Sequence, residues 1–317
     1  MTSEQATSEP CDLSVVICTV NRPVLLAKAV ASAAGQENRL GLATEIVVVD
    51  NSAEGRARET VERLARQHSV PVCYVSERRM SFAYARNAGV AAARGALIAF
   101  LDDDEEASPR WSDALVETLR RFDADVVFGP ILPVFEGGRP PAWDPEGHYY
   151  SRHLDVPSGT EVSERGTGNA LMKRIACGPG DEPFAHDLGS SGGEDIDLFL
   201  RLKAQGRKLV WAAEATVTEL QPKETLTLGY RSYRNFCLNQ TYVRIRVRNS
   251  DKRLVTMLRF MAMGAAQVVV FSLPGLASCF AHARPLIAAR MKLCNGLGKL
   301  LWMMPSQLYS RRYRSRA

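Results

Sequence analysis

The chain has no pair of cysteines in CxxC spacing: its seven, at positions 11, 18, 73, 177, 237, 279 and 294, are scattered and odd in number. That distribution argues against a disulfide framework or a cysteine-built zinc site and reads as reduced core thiols. No GxGxxG turn follows the first apolar run, where Thr19 leads into Val-Asn-Arg-Pro, which disfavours a nicotinamide dehydrogenase. The first ten residues lack both a basic start and an apolar core, so no secretory signal is read and the body is expected to stay in the cytoplasm. Internal repeats and low-complexity segments are absent too. Acid is nearly missing from the C-terminal region: residues 231–317 carry 16 Lys and Arg and a single carboxylate, Asp251. The preceding residues carry 34 acids against 24 bases. An acidic body with a basic tail predicts a tail that faces something anionic.

What is present is bulk and pattern. The 317 residues are 46% hydrophobic, enough for one large α/β domain with an appendage. The most informative stretch runs from Leu97 to Asp104, where Leu-Ile-Ala-Phe-Leu ends in three adjacent aspartates. Such a run reads as a strand buried on both faces of a parallel sheet, with its acids at the C-terminal edge where open α/β sheets bind ligands. Adjacent carboxylates repel. A hard divalent cation would relieve them, and a solvated loop or helix-capping cluster is the plainer alternative.

Strand-like and helix-like segments alternate on both sides of this run. Leu13–Thr19, Glu45–Asp50, Val72–Val75, Asp125–Phe128, Ala170–Lys173 and Leu209–Trp211 read as strands. Pro23–Ala34 and Ala57–Gln67 read as helices, as does a segment capped by Ser81 and running to about Ala93. Ser108 and Pro109 are expected to open a further helix through Phe122, and another spans about Glu194–Gln205. The alternation predicts a parallel sheet with helices on both faces. Residues 129–168, rich in Pro, Gly and aromatics around Trp143, His148, Tyr149 and Tyr150, are expected to form an irregular excursion that could contact an acceptor.

Phe260 to Ala281 holds no Lys, Arg, Asp or Glu and is just long enough to cross a bilayer as a helix. Gln267, Pro274 and Gly275 interrupt it and basic residues flank both ends. A re-entrant or surface-lying helical pair is the expectation, with Leu297–Met304 and the Arg311–Arg316 cluster adding interfacial contacts. A buried helix of a soluble subdomain is the alternative.

Six segments then stand in a telling order: Ser14-Val-Val-Ile-Cys-Thr-Val-Asn-Arg-Pro23, Glu45-Ile-Val-Val-Val-Asp50, Ala85-Arg-Asn-Ala-Gly89, Phe100-Leu-Asp-Asp-Asp104, Gly166-Thr-Gly-Asn169 and Gly192-Gly-Glu-Asp-Ile-Asp-Leu198. Together they resemble the family 2 glycosyltransferases of the GT-A fold, in the bacterial branch that builds exopolysaccharide repeat units. The resemblance implies that Thr19, Asn21, Arg22 and Asp50 hold a nucleotide base. An acid facing the imide edge of uracil accepts its N–H, a reason for Asp50 to select uridine; Asp50 and Asn51 could instead only shape a turn. Asp102 and Asp104 match the two acids of the family's DxD motif, with Asp103 between them. This match implies that Asp104 ligates Mg²⁺ or Mn²⁺ on the diphosphate and that Asp102 reaches ribose or the cation's water shell. Arg86 is implied as a further phosphate contact, or pairs with a nearby acid. Asp195 is implied as the general base and Glu194 as the group that orients donor sugar or acceptor, although acids are ordinary residues of a first helical turn. Gly166 to Asn169, including Gly168, would border the donor sugar or merely form a tight turn. Beyond Trp211 the resemblance thins. Thr218 stands near where many relatives place a metal-holding histidine, and Arg231 or Arg234 could clamp the leaving diphosphate or belong to a basic surface.

These readings combine into an α/β protein of GT-A type, a mostly parallel sheet with helices on both faces, and a helical membrane-associating C-terminal region. Residues 1–12 form a polar leader, 13–220 the transferase domain and 221–317 the basic apolar region. The implied reaction is inverting, metal-dependent transfer of a hexose from a nucleotide sugar, UDP-linked, to a growing glycan. A lipid-diphosphate-linked acceptor would explain the basic, apolar C-terminus. The implied cofactor is Mg²⁺ or Mn²⁺. The implied partners are donor, glycan acceptor and the anionic inner face of the cell membrane, not nucleic acid. A Mg²⁺-dependent phosphohydrolase or nucleotidyltransferase, and a membrane scaffold that binds sugar nucleotide without turnover, remain open.

Overall fold

The computed structural model describes residues 11–304 except 179, 181, 190, 191 and 282. Most of the polar leader and the whole Arg311–Arg316 cluster lie outside the described residues. The sheet grows from β1 (Leu13–Thr19), whose side chains alternate between two layers. Leu13, Val15 and Ile17 pack into one core cluster and Val16 into another on the opposite face. Burial on both faces is what an unbroken Val/Ile run requires, at about 1.5–3 kcal/mol for each fully buried side chain. β2 (Thr44–Asp50) and β4 (Leu97–Phe100) flank β1 in parallel, and β3 (Val72–Ser76) adds outside β2. α1 (Pro23–Ala34), α2 (Arg58–Gln67) and α3 (Phe82–Ala92) make the crossovers.

The acidic run is placed as expected: its strand ends at Phe100 and the aspartates follow at the C-terminal edge, where Glu105 N–H bonds Asp102 C=O at 3.1 Å. The chain continues into β5 (Glu105–Ala107), which pairs outside the main sheet. One expectation needs correction: Ser108 and Pro109 do not open a helix. Ser108 N–H is bonded to Thr216 C=O, so this residue ends the β5 segment, and α4 (Trp111–Arg121) starts behind Arg110. The sheet is mostly parallel, as expected, with one exception. β8 (Ala170–Lys173) runs antiparallel between β4 and β6 (Val126–Phe128). The 129–169 connection contains no crossover helix, and an antiparallel partner needs none. β9 (Leu209–Trp211), which follows α5 (Glu194–Ala204), closes the far edge parallel to β6. The order is β3-β2-β1-β4-β8-β6-β9.

The expected irregular excursion begins with regular structure. β7 (Ile131–Phe135) and β10 (Val217–Gln221) join β5 in a small second sheet, order β5-β10-β7, over the C-terminal edge of the first. Three long helices follow: α6 (Leu228–Arg248), α7 (Arg253–Ala277) and α8 (Arg284–Leu300). α7 continues through Gln267, Pro274 and Gly275, the expected interruptions. Two of them are its contacts with α8: Gln267 accepts from Lys299 at 3.0 Å, and a side chain at Gly275 would lie 3.3 Å from the Arg290 Cα. The segment expected to break into a helical pair is thus one continuous helix, packed on α8, and it is long and apolar enough to cross a membrane by length and composition alone.

Candidate active site

Parallel pairing of β1 with β4 brings the loops after Thr19 and Phe100 side by side. Thr19 donates to Asp103 Oδ2 at 2.8 Å, while one guanidinium nitrogen of Arg22 reaches Asp103 Oδ1 at 2.7 Å and Asp104 Oδ2 at 2.8 Å. Asn21 turns this loop in the left-handed region, φ +52°. Burial pushes the Asp103 carboxyl up to about 7 against the opposing pull of Arg22. Asp103 thus ties the two loops together, leaving Asp102 and Asp104 beside it on a cavity that Arg22, Asn51 and Arg86 also line.

The second group of acids opens α5. Gly192 and Gly193, at φ +77° and +97°, make the sharp entry turn. A Cβ on Gly193 would lie 2.6 Å from Thr241 of α6, so the helix start packs directly on the C-terminal region. Arg86, on α3, forms a buried ion pair with Glu194 and comes within 3.9 Å of Asp102. Desolvation raises the Glu194 carboxyl to about 7 even beside that guanidinium, and its Oε2 has no hydrogen-bond partner among the described residues. Asp195 is half-buried, with Oδ1 accepting from Ile196 N–H at 2.7 Å, so the positive end of α5 faces the carboxylate. The Gly166–Asn169 loop touches both groups. A Cβ on Gly166 would stand 3.3 Å from Asp195 Oδ2, and one on Gly168 2.7 Å from Glu105 and 3.1 Å from Asp102. Residues separated by ninety positions in the sequence converge on one edge of the sheet.

Three candidate residues do other work than expected. Asp50 is fully buried: Ser52 and Ala57 N–H and the Tyr74 hydroxyl donate to its carboxylate, which shapes the turn into α2 instead of facing the cavity. Asn169 is also fully buried, at φ +58°; its amide donates to Pro130 and Ala215 carbonyls and accepts from the Trp111 indole. It ties the segments that lead into the second sheet, and its side-chain amide is taken up by these bonds. The room beside Gly168 is taken up by carboxylate oxygens.

Sequence reasoning missed the cluster behind the acidic turn. Arg152 bonds Glu219 at 2.8 Å and approaches Glu105 at 3.7 Å. Burial and neighbouring Asp102 hold the Glu105 carboxyl well above the usual range. Glu219, next to Thr218 on β10, supplies the side chain that reaches this cluster. Alternation in Val217-Thr-Glu-Leu-Gln221 was a strand signal, whereas nothing in the spacing around Arg152 announced it. Arg231 and Arg234 line a separate cavity with Arg152.

The donor set bears on a metal. Asp102 and Asp104 offer hard carboxylate oxygens on one cavity, and among the described residues no group of three or more His, Cys, Asp or Glu forms a cage. That fits a cation of Mg²⁺ or Mn²⁺ type, which takes one or two carboxylates and completes its shell with substrate phosphates and water. The crowding of Asp102 to Glu105, with Glu105 Oε1 left without a hydrogen bond, is likewise a surplus of negative charge that a cation relieves.

A family model described as glycosyl transferase family 2 matches residues 14–178. The succinoglycan biosynthesis protein ExoM of Rhizobium meliloti (strain 1021) is 33% identical over 238 residues, 75% of this chain and 76% of that protein. The glycosyltransferase AglE of Haloferax volcanii is 26% identical over 171 residues, 53% of this chain and 54% of that protein. Among solved structures, the mannosyltransferase PcManGT from Pyrobaculum calidifontis, in complex with GDP-Man and Mn²⁺, superposes with a TM-score of 0.61 at 17% identity, covering 93% of this chain and 88% of that one. S. aureus TarS 1-349 with UDP-GlcNAc gives 0.52 at 14% identity, covering 90% and 89%. At these identities the two structures speak for the GT-A-like fold alone. The sequence match over the sheet and the acidic turn carries the assignment: the chain belongs to glycosyl transferase family 2 and is a glycosyltransferase.

Proposed function

We propose that this enzyme moves a hexose from a nucleotide diphosphate sugar to a growing exopolysaccharide, with inversion, at the cytoplasmic face of the membrane. The observation that carries the reading is the Arg86 bridge, which holds Glu194 against the Asp102 side of the acidic turn with Asp195 one residue further on. Asp195 accepts the proton of the acceptor hydroxyl as that oxygen forms its bond to the anomeric carbon. The bond from that carbon to the diphosphate breaks, and the nucleotide diphosphate leaves with the electron pair. Glu194, fixed by Arg86, orients the sugar. Asp104 and Asp102 are the residues to hold Mg²⁺ or Mn²⁺, which when bound neutralises charge on the diphosphate. The neighbour solved with Mn²⁺ supports a divalent cation.

The acceptor enters a cavity of about 520 Å³ whose lining includes Arg152, Trp211, Tyr242 and Gly166 and reaches Ile196, beside the base. ExoM is a succinoglycan biosynthesis protein, and its likeness to this chain supports a related glycan here. Residues 13–220 serve donor and catalysis; 221–317 hold the enzyme on the membrane and favour a lipid-linked acceptor. The uridine expectation loses the support of Asp50, so the base is a matter for the donor test. A panel of nucleotide sugars assayed with Mn²⁺ for binding and slow hydrolysis decides the donor. One donor hydrolysed, with hydrolysis lost in Asp104→Ala, supports the reading; no nucleotide sugar bound at all overturns it.

A further inference from the structure

A cavity apart from the two already described lies between β10, the start of α6 and the 150–152 segment, and it is dominated by cations. Arg152, Arg231 and Arg234 line it together with Tyr150, Tyr230 and one acid, Glu219, which is already paired with Arg152 at 2.8 Å. Among the described residues neither Arg231 nor Arg234 has a carboxylate within 4.0 Å. The Arg231 guanidinium instead stacks over the Tyr150 ring, 5.0 Å from its centre. Both arginines occupy the first two turns of α6, the positive end of that helix, which has no acid in its first turn. A cation is unfavourable in the first turn, where Arg231 stands, and its burial adds to the cost, offset only in part by Glu219 and the Tyr150 ring. Desolvation, and Arg234 beside it, hold Arg231 down at about 10. Folding alone gives little reason to set two more cations beside the one acid, Glu219, that Arg152 already pairs.

The geometry points to a site for a phosphate or diphosphate group carried by the acceptor. This rests on the transferase reading above and adds to it the chemical class of the acceptor's distal group. Position selects the acceptor over the donor. The cavity shares Arg152 with the acceptor cavity and no residue with the nucleotide cavity. On its other side Tyr150 packs in a cluster with Ile287 and Met291 of α8. A ligand seated there stands between the reacting groups and the apolar helices, the place of the anionic joint in an amphiphile whose sugar is glycosylated. Guanidinium forks are suited to phosphate oxygens, and Tyr230 brings a hydroxyl to the same cavity, while that of Tyr150 donates to Thr225 C=O at 3.1 Å. The leaving diphosphate of the donor is the other source of the same chemistry.

The test compares the full-length chain with an Arg231→Gln/Arg234→Gln double variant by calorimetry. Inorganic pyrophosphate is titrated without divalent cation, and UDP and GDP with Mn²⁺ in a second arm. Pyrophosphate affinity should fall at least tenfold in the variant, with nucleotide affinity within twofold of wild type. Its melting temperature should rise, because removal of uncompensated cations relieves strain that a purely structural arginine would not impose. Arg231→Lys/Arg234→Lys, which keeps charge but loses the fork, should retain part of the pyrophosphate affinity. Unchanged pyrophosphate binding, a matching loss of nucleotide affinity, or a double variant that melts lower or fails to fold each overturns the proposal. Absence of donor hydrolysis by the wild type would remove the transferase reading, while the pyrophosphate arm continues to report on the cavity.

Discussion

The sheet domain and the C-terminal helices bury opposite things. In the sheet domain the apolar runs of β1, β2 and β4 are inside, and three of the acids buried with them are held in arginine-centred groups: Asp103 with Arg22, Glu194 with Arg86, Glu105 with Arg152. In the helices the polar groups are inside. Asn235 and Asn239 both bond Asn295, Gln240 reaches Leu301 C=O, and Lys299 sits between Asn239 and Gln267. On α7 apolar side chains face out, with Val269 and Leu273 80% and 83% exposed, while α6 and α8 bury Val243, Ile245, Ile287 and Met291. Bare valine and leucine on α7, a helix long and apolar enough to cross a membrane by length and composition, set this region apart from the sheet domain and are what the proposed membrane contact rests on.

The comparison breaks most sharply at Asp195. Asp195→Asn should lower transfer by about a thousandfold or more while leaving nucleotide–Mn²⁺ affinity unchanged. Loss of that affinity instead would move the residue to the donor site. Next in size, Arg86→Met strands Glu194 as a buried carboxylate without its cation. Urea unfolding should show a loss of about 3–5 kcal/mol, and a variant as stable as wild type would mean that the bridge does not hold the two acid groups. On the helical side, Val269→Glu with Leu273→Glu should weaken binding to anionic lipid vesicles about tenfold or more. Melting should stay constant, since both side chains are exposed; equal sedimentation with vesicles would take α7 out of membrane contact.

The last effect, a few kcal/mol spread over about three pH units, is in pH. Glu194 and Asp103 sit near 7 in the folded chain, above their ordinary values of 4.5 and 3.8. As pH rises from about 4 to 7 the unfolded chain gives up these protons first, so stability falls across that window. Glu45 and Glu77, held low by hydrogen bonds and their arginines, act below it in the opposite sense. Melting of the cation-free protein between pH 5 and 8 should therefore decline, with a shallower decline in Glu194→Gln; a flat profile in wild type contradicts the burial of these acids.

Much of the sheet domain was legible because its strands are buried on both faces and leave continuous Val/Ile runs, as in Glu45–Asp50. β5 and β7 were not, since each is three to five residues long and gains its pairing from segments far away in sequence, while the alternation that marks β10 went unread. The acids of the site were visible as motifs, but the direction of a side chain was not. Asp50 and Asn169 stand beside motif positions, and their hydrogen bonds turn them inward. Arg152 lies in a stretch without periodicity, and only the fold brings it to Glu105 and Glu219.

Gly264 and Gly296 carry a last consequence. A Cβ on either would come within 2.8 Å of the other's carbonyl oxygen, so α7 and α8 meet backbone to backbone at that crossing. α8 is packed in turn on α6, where Gly298 abuts the Phe236 carbonyl. On the membrane-bound reading proposed above, an enzyme seated on such a slab would meet a flat surface at a preset height and tilt, and which hydroxyl of a long acceptor comes into reach would then be partly a matter of leverage.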